Sequence, residues 1–300
     1  MKIVVAGGTG FIGKKIVQSL NEKDFTIFVL TRNIKKHQEL FPENVKLIDW
    51  STVNPKLLHD VKVLIKLNGE KVDQLWTKSA KNKILNSRID SSKMLFDFCI
   101  NNEIVPEKLI NASAVGIYAV NSAQYNSSVD ENSQQGDTFL SKVCIENEQS
   151  TKFFNVFENI KIIQLRIGVV LRKKIISLLS INLFFSIPIP GNKSSYFPWV
   201  HVDDIVGFIH HSINNNLEGI FNLVGPELTS HRIFFKTILK NTKSVISWVI
   251  FLPNFLIKLI FRDMSEMFLF GPKTKPNRTL ESGYKYKYTT LSDALSNLSE

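Results

Sequence analysis

The sequence predicts an α/β fold, a doubly wound parallel sheet with a small C-terminal lobe. Three observations carry that expectation. Short β-branched runs alternate with amphipathic helical spacing from the N-terminus to about residue 170, a glycine-rich loop follows the first run directly, and the alternation breaks up beyond residue 170.

Lys2–Ala6 is the first strand, and Gly7–Gly13 forms the loop behind it. Ile12, Ile16, Val17 and Leu20 then fall on one helical face. Phe25–Thr31, Val45–Ile48 and Val61–Leu67 are apolar runs of strand length, as expected of a parallel sheet covered on both faces. Residues 79–101 have helical spacing, with Ile84, Ile89, Met94, Leu95 and Phe98 on the apolar side. Lys108–Ala112 reads as a fifth strand, 116–137 as a polar loop, Thr138–Phe157 as a helix and Ile160–Ile167 as a sixth strand. Farther on, Pro188, Pro190 and Gly191 mark a loop and Trp199–Val202 a short strand. Asp203 or Asp204 caps a helix running to His211, and Gly219–Leu223 is one more strand candidate. No internal repeat or flexible linker separates the two halves.

The 300 residues are 44% hydrophobic, enough for one large domain with an appended lobe and too apolar for disorder. A net charge of +10 favours anionic partners. The lysines are nevertheless dispersed (Lys81, Lys83, Lys93, Lys152, Lys285), which suits solvated faces and no specific nucleic-acid footprint. Cys99 and Cys144 lack CxxC spacing and sit in helical segments, so buried free thiols are expected, with no disulfide framework and no metal site. The N-terminus runs straight into a strand with no signal-peptide core, so a cytoplasmic location is expected. Val245–Phe261 is strongly apolar, but Pro253, Asn254 and Lys258 interrupt it; a buried or substrate-facing helix pair is expected there and no transmembrane span.

In Gly7-Gly8-Thr9-Gly10-Phe11-Ile12-Gly13 the first glycine permits the turn after the strand. Gly10 lets backbone approach a pyrophosphate, and Gly13 lets helix and strand pack closely. The helix N-terminus offers unpaired N–H groups and a positive dipole to phosphates. At the end of the second strand stand Thr31 and Arg32, with Lys35 and Lys36 beyond, and no acidic residue lies between Asp24 and Glu39. An acidic residue there would hold a ribose 2′-hydroxyl, whereas Arg32 suits a 2′-phosphate. NADP(H) is therefore the expected cofactor.

Several further segments join this loop: LTR at 30–32, LNGE at 67–70, SRID at 87–90, NASAVGIY at 111–118, GDTFLSKVC at 136–144, RIGVVL at 166–171, WVHVDDIV at 199–206, FNLVGPE at 221–227 and a C-terminal GPKTKPNRTLESGYKYKY. Together they resemble the extended short-chain dehydrogenase/reductase superfamily, and within it the atypical YfcH-like branch of epimerase-family proteins, over nearly the whole chain. The resemblance implies a Rossmann NADP(H)-binding domain over 1–170, with 203–225 packing back on it, and an interwoven substrate lobe over 171–300. It assigns Gly7, Gly10, Phe11, Ile12 and Gly13 to the phosphates, Arg32 to NADP, and Leu67, Asn68 and Gly69 to the adenosine side. Lys66 and Asn68 stand where the family reads Asn and Ala. Thr9, Thr31 and Arg166 complete the expected cofactor set. Ser113 matches the serine that hydrogen-bonds the reacting oxygen in active relatives.

Active members of that superfamily carry Tyr and Lys four residues apart, and this sequence has no YxxxK. The matching helix reads Thr138-Phe139-Leu140-Ser141-Lys142. Tyr118 lies five residues after Ser113 and is the candidate proton donor, with Lys142 or Lys66 to lower its pKa. The alternative is a Tyr118 that closes the pocket wall and a Ser113 that bonds only backbone. Glu70 and Arg88 are candidate substrate contacts; Arg88 clamps an anion or forms a surface ion pair. His201 with Asp203 suggests an acid–base pair or, more simply, a helix start that anchors the lobe. Trp76, Trp199, Phe184 and Phe185 line a cleft or belong to the core.

Two functions fit. One is an NADP(H)-dependent oxidoreductase or epimerase-like enzyme, monomeric or homodimeric, acting on a small carbonyl or hydroxyl compound. The other is a non-catalytic NADP(H) sensor or scaffold.

Overall fold

A computed structural model describes residues 1–23, 25–51, 55–119, 128–172, 187–190, 195–241, 249–269 and 271–299, with the backbone alone at 187–190, 241, 249–251, 268 and 299. Seven strands form one parallel sheet: β1 (Lys2–Ala6), β2 (Thr26–Thr31), β3 (Lys46–Asp49), β4 (Val61–Lys66), β5 (Lys108–Ala114), β6 (Lys161–Ile167) and β7 (Gly219–Leu223). Their spatial order is β3-β2-β1-β4-β5-β6-β7, so the winding reverses between β1 and β4. Val4 sits opposite Phe28 on one side and Leu64 on the other.

The alternation of side chains along each strand divides the apolar residues between two layers. Ile3 and Val5 face a core built with Ile16, Val17 and Leu20 of α1 (Phe11–Asn21). Val4 and Ala6 face the opposite core, with Leu95, Phe98 and Cys99 of α2 (Lys78–Asn101) and with Phe154 and Phe157. A third helix, α3 (Phe139–Gln149), lies beside α2. The fourth, α4 (Val202–Asn214), packs on α1, where Ser19 Oγ and His210 Nε2 are 2.9 Å apart. Leu171, Trp199, Phe234, Tyr288, Leu291 and Leu295 form a separate small core in the C-terminal half.

The structure revises several sequence expectations. Thr138–Phe157 is not one helix: α3 ends at Gln149 and a 3-10 segment, Ser150–Val156, follows. There Ser150 Oγ and Thr151 Oγ1 donate to the carbonyls of Asn147 and Glu148, so hydroxyls compete for helical acceptors. The cap of α4 is His201 rather than either aspartate: its Nδ1 accepts the Asp203 N–H at 3.1 Å. The preceding strand is accordingly only Trp199–Val200.

The stretch 245–261 is not a helix pair. Its described part is a strand, Val249–Leu252, then Pro253 and a helix, Asn254–Phe261. Phe255 and Leu259 on that helix are 68% and 73% exposed, so this face is not buried. Among the described residues no helix is long and apolar enough to cross a membrane. Phe184 and Phe185 lie outside the described residues.

A Cβ added at Gly13 would stand 2.3 Å from the Gly7 carbonyl oxygen and 2.6 Å from Gly8 Cα. Both neighbours are backbone, so they yield only by moving α1 off the sheet. Gly13→Ala is therefore expected to lower the unfolding free energy by about 1–3 kcal/mol, measured by urea denaturation; unchanged stability would contradict this packing.

Candidate functional site

The reversal of winding brings two loops together. Gly7 has φ 86°, and its amide neighbourhood is so close to the β4 loop that an added Cβ would lie 2.8 Å from Asn68 N. Leu67 N–H donates to the Ala6 carbonyl at 2.8 Å, tying the ends of β1 and β4. Gly10 then turns onto α1 with an N–H bond to Gly7 O at 3.1 Å, and no side chain caps the helix. The first-turn N–H groups of α1 therefore face the crevice without a protein cap, and no acidic side chain stands in that turn. Thr9, Phe11, Lys14, Lys15 and Gln18 line a groove of about 420 Å³ there. The Arg172 guanidinium lies 4.5 Å from the centre of the Phe11 ring.

On the β2 side, Thr31 is buried and its hydroxyl is engaged in the turn. It sits 2.7 Å from His37 Nδ1 and accepts the Asn33 N–H at 3.2 Å. Asn33 in turn caps the short helix Ile34–His37 through the Lys36 N–H. This turn leaves Arg32, Lys35 and Lys36 exposed. Thr31 thus shapes the platform on which Arg32 stands.

On the β4–β5 side two polar atoms, Asn68 Oδ1 and Ser113 Oγ, are buried without a hydrogen-bond partner. Unpaired buried groups of this kind are costly and point to an absent partner. Just below them Lys66 is fully buried. Its Nζ donates to Asn147 Oδ1 at 2.8 Å and Asn111 Oδ1 at 3.2 Å. Asn147 Nδ2 donates onward to the Ala112 carbonyl, one residue before Ser113. No carboxylate lies within ion-pair distance of Lys66 among the described residues. Burial, with a smaller push from Arg88, lowers its pKa to about 7.

Tyr118 is not where the proton-donor expectation needs it. It ends a 3-10 turn, Val115–Tyr118, that folds the ring back into the protein, where it is fully buried. Its hydroxyl donates to Asn222 Oδ1 at 2.9 Å and accepts from Arg166 Nη1 at 2.7 Å. Burial pushes the phenol up to about 12, despite Arg166. Neither Lys66 nor Lys142 bonds it; Lys142 is exposed.

Arg166 likewise departs from the expected cofactor set. It is buried, and its Nε and Nη2 each bond Glu148 at 2.9 Å. Burial opposes its charge, but Glu148 more than offsets this and holds the guanidinium above its ordinary pKa. Asn222 is fixed by Glu131, which accepts its backbone N–H, and by the carbonyl of Lys275. Glu148, Asn222 and Glu131 were not singled out in the sequence, where only their long-range pairing would have marked them.

Glu70 is exposed; its N–H donates to Ser87 Oγ at 2.9 Å and its carboxylate accepts from Gln74. Arg88 is half-buried behind the Gly69 backbone, where an added Cβ would stand 3.1 Å from Cζ. Its Nη1 donates to the Ile84 carbonyl at 2.7 Å, so it is not a surface ion pair. His201 and the two aspartates form an anchor: Asp203 pairs with Lys287 at 2.7 Å, and Asp204 accepts N–H bonds from Lys287 and Tyr288. Trp76 packs edge-on against Phe139 at 4.9 Å within a small core.

Residues 3–145 match the model of the NAD dependent epimerase/dehydratase family, and 252–298 match a domain of unknown function, DUF1731. Epimerase family protein SSP1921 of Staphylococcus saprophyticus is 30% identical over 98% of each chain. The chain belongs to this epimerase family. The chloroplastic SDR39U1 homolog of Arabidopsis thaliana, another epimerase family protein, is also 30% identical, over 98% of this chain and 86% of its own. Among solved structures, the human epimerase family protein SDR39U1 (isoform 2) with NADPH superposes with a TM-score of 0.82 at 24% identity, over 99% of both chains. UDP-glucuronic acid 4-epimerase of Bacillus cereus, in complex with UDP-glucuronic acid and NAD, gives 0.72 at 18% identity, over 98% and 96%.

In this epimerase-family chain two buried cations have opposite fates, and each makes a prediction. Arg166→Met leaves Glu148 buried without its partner, so stability should fall by about 3–5 kcal/mol, read by chemical denaturation. Lys66, by contrast, binds its proton less readily folded than unfolded. Between about 7 and its ordinary 10.5, the unfolded state holds the extra proton, so stability rises with pH. Relative to Lys66→Met, the wild-type chain should therefore gain up to about 1.4 kcal/mol per pH unit across that interval. A pH-independent difference between the two would show that the buried amine titrates normally.

Proposed function

We propose that the chain holds NADP(H) along the carboxyl ends of β2, β1, β4 and β5. There it serves as an NADP(H)-dependent oxidoreductase or epimerase-like protein acting on a small carbonyl or hydroxyl compound. One observation carries the reading: an uncapped helix N-terminus behind a glycine loop stands beside a β2 end that has no carboxylate and exposes Arg32. The solved human relative with NADPH supports the phosphorylated cofactor, although other fold neighbours carry NAD.

The N–H groups of Phe11, Ile12 and Gly13 would take the pyrophosphate, with Gly7, Thr9 and Gly10 shaping its bed. Arg32 would pair with the 2′-phosphate. Leu67, Asn68 and Gly69 would border the cofactor across the crevice, and the unpaired Asn68 Oδ1 fits a ligand donor there. The chemistry such a cofactor supplies is hydride transfer. Ser113 Oγ, also unpaired, would hydrogen-bond a substrate oxygen. The buried Tyr118 favours a second reading, a binding protein that does no chemistry, because a missing general acid forgoes about 10²–10⁴-fold.

Arg32→Ala should weaken NADPH binding by roughly 10–100-fold, the worth of a charge-assisted contact, while leaving NADH affinity nearly unchanged. Fluorescence titration of the reduced nicotinamide checks this, and an equal effect on both nucleotides would reject the assignment. Ser113-dependent oxidation of NADPH with an aldehyde, ketone or quinone would support the enzyme. Different affinities for NADPH and NADP⁺ without turnover would support the sensor.

A further inference from the structure

The mouth of the crevice carries positive charge that, among the described residues, stands without a paired carboxylate. Arg88 reaches it from α2, half-buried against the Gly69 backbone. Among the described residues its guanidinium makes a single hydrogen bond, from Nη1 to the Ile84 carbonyl, and no carboxylate comes within ion-pair distance of it. The acidic groups that feel its charge do not pair with it. Glu70 is exposed and bonded by the Gln74 amide, and Cys144 is a buried thiol pushed up to about 11, hence neutral. Lys66 lies deeper, held only by two amide oxygens, and repels Arg88. Two neighbouring cations without an anion are unfavourable inside a protein unless a ligand supplies one. The unpaired Ser113 Oγ and Asn68 Oδ1 flank the same edge.

We infer that the substrate bears a carboxylate, and that the free face of the Arg88 guanidinium receives it in a forked pair while the carbonyl or hydroxyl end points to Ser113. This rests on the cofactor reading above and adds to it the substrate class. A planar guanidinium fork matches the two oxygens of a carboxylate, which an ammonium at the same place would not do. Lys66, fully covered, would act on the ligand only through the local potential.

The experiment uses the full chain saturated with NADP⁺, after NADPH binding has been verified by titration. Saturation-transfer NMR then compares carboxylates with their primary amides: lactate and lactamide, 3-hydroxybutyrate and 3-hydroxybutyramide, mandelate and mandelamide. At least one carboxylate should bind about tenfold or more tightly than its amide, and its binding should weaken with added salt. Arg88→Gln should abolish the preference, and Arg88→Lys should restore part of it, with NADPH affinity within about twofold of wild type in both. Should Arg88→Gln fail to fold, the amide comparison and the salt series on the wild-type chain still decide. Equal binding of acids and amides overturns the inference, as does the absence of any carboxylate binding to cofactor-loaded protein. Loss of NADPH affinity in Arg88→Gln also overturns it, since the guanidinium would then serve the cofactor. A wild-type chain that fails to bind NADPH at the first step refutes the cofactor reading instead, and with it the substrate's place beside Ser113.

Discussion

The approach of two backbones at the point where the sheet reverses direction governs everything built on it. Gly7 and the Leu67–Asn68 peptide touch with no room for a Cβ, and the Leu67 N–H to Ala6 bond fixes the register of that contact. Because all seven strands run the same way, their carboxyl ends lie on one edge, and only at this reversal do neighbouring connections leave toward opposite faces. The crevice is a consequence of the winding. Gly13 adds the second close approach, setting the N-terminus of α1 over it.

A chain of buried polar contacts then joins the sheet to the C-terminal half. Glu148 on α3 holds Arg166 on β6; Arg166 donates to Tyr118; Tyr118 donates to Asn222 on β7; and Asn222 donates its backbone N–H to Glu131 and its side-chain amide to the Lys275 carbonyl. Asp204 does the same work at α4 through Lys287, Tyr288 and Tyr284. These contacts hold the two halves in one arrangement around the crevice. They also explain why a tyrosine near the expected position is unavailable for proton transfer: its hydroxyl has both a donor and an acceptor already, and its ionised form would have to exist in the interior.

How much of this the sequence disclosed depended on the range of the interactions involved. The seven strands of the main sheet, α1 and the glycine loop are local in origin, fixed by side-chain alternation, helical spacing and glycine placement, and their positions agree with the sequence to within a residue or two; Ile187–Pro190, read as a loop, and Val249–Leu252, read as helix, are instead strands paired with each other. The lack of acids around Arg32 was legible for the same reason, since it is a local fact. The two readings of Tyr118 could not be separated in the sequence because a spacing of five residues says nothing about a 3-10 turn that swings the ring inward. Arg166 was misjudged because its partner lies on another element, 18 positions away. The His201 cap was missed because aspartate is the commoner cap, whereas here both aspartates are drawn to the C-terminal segment.

Arg166 and Lys66 show what a single carboxylate decides. Both are cations on neighbouring parts of the same sheet and both are almost wholly covered. Glu148 offers Arg166 two oxygens in matching geometry, so its charge is retained and it serves to brace the fold. Among the described residues Lys66 finds only amide oxygens, so its proton is loosely held near neutrality. Had the carboxylate been placed beside Lys66, one of the two neighbouring cations would be compensated and the pull of Arg88 on an anion would be weaker. The protein instead satisfies the cation that faces the interior and leaves electropositive the side that opens toward Ser113 and the end of β4. In a low-dielectric cleft such an imbalance attracts anions from solution and favours one that can meet a guanidinium with two oxygens. On the inference drawn above, the distribution of acidic side chains would thus select among ligands that the Rossmann framework alone would accept equally.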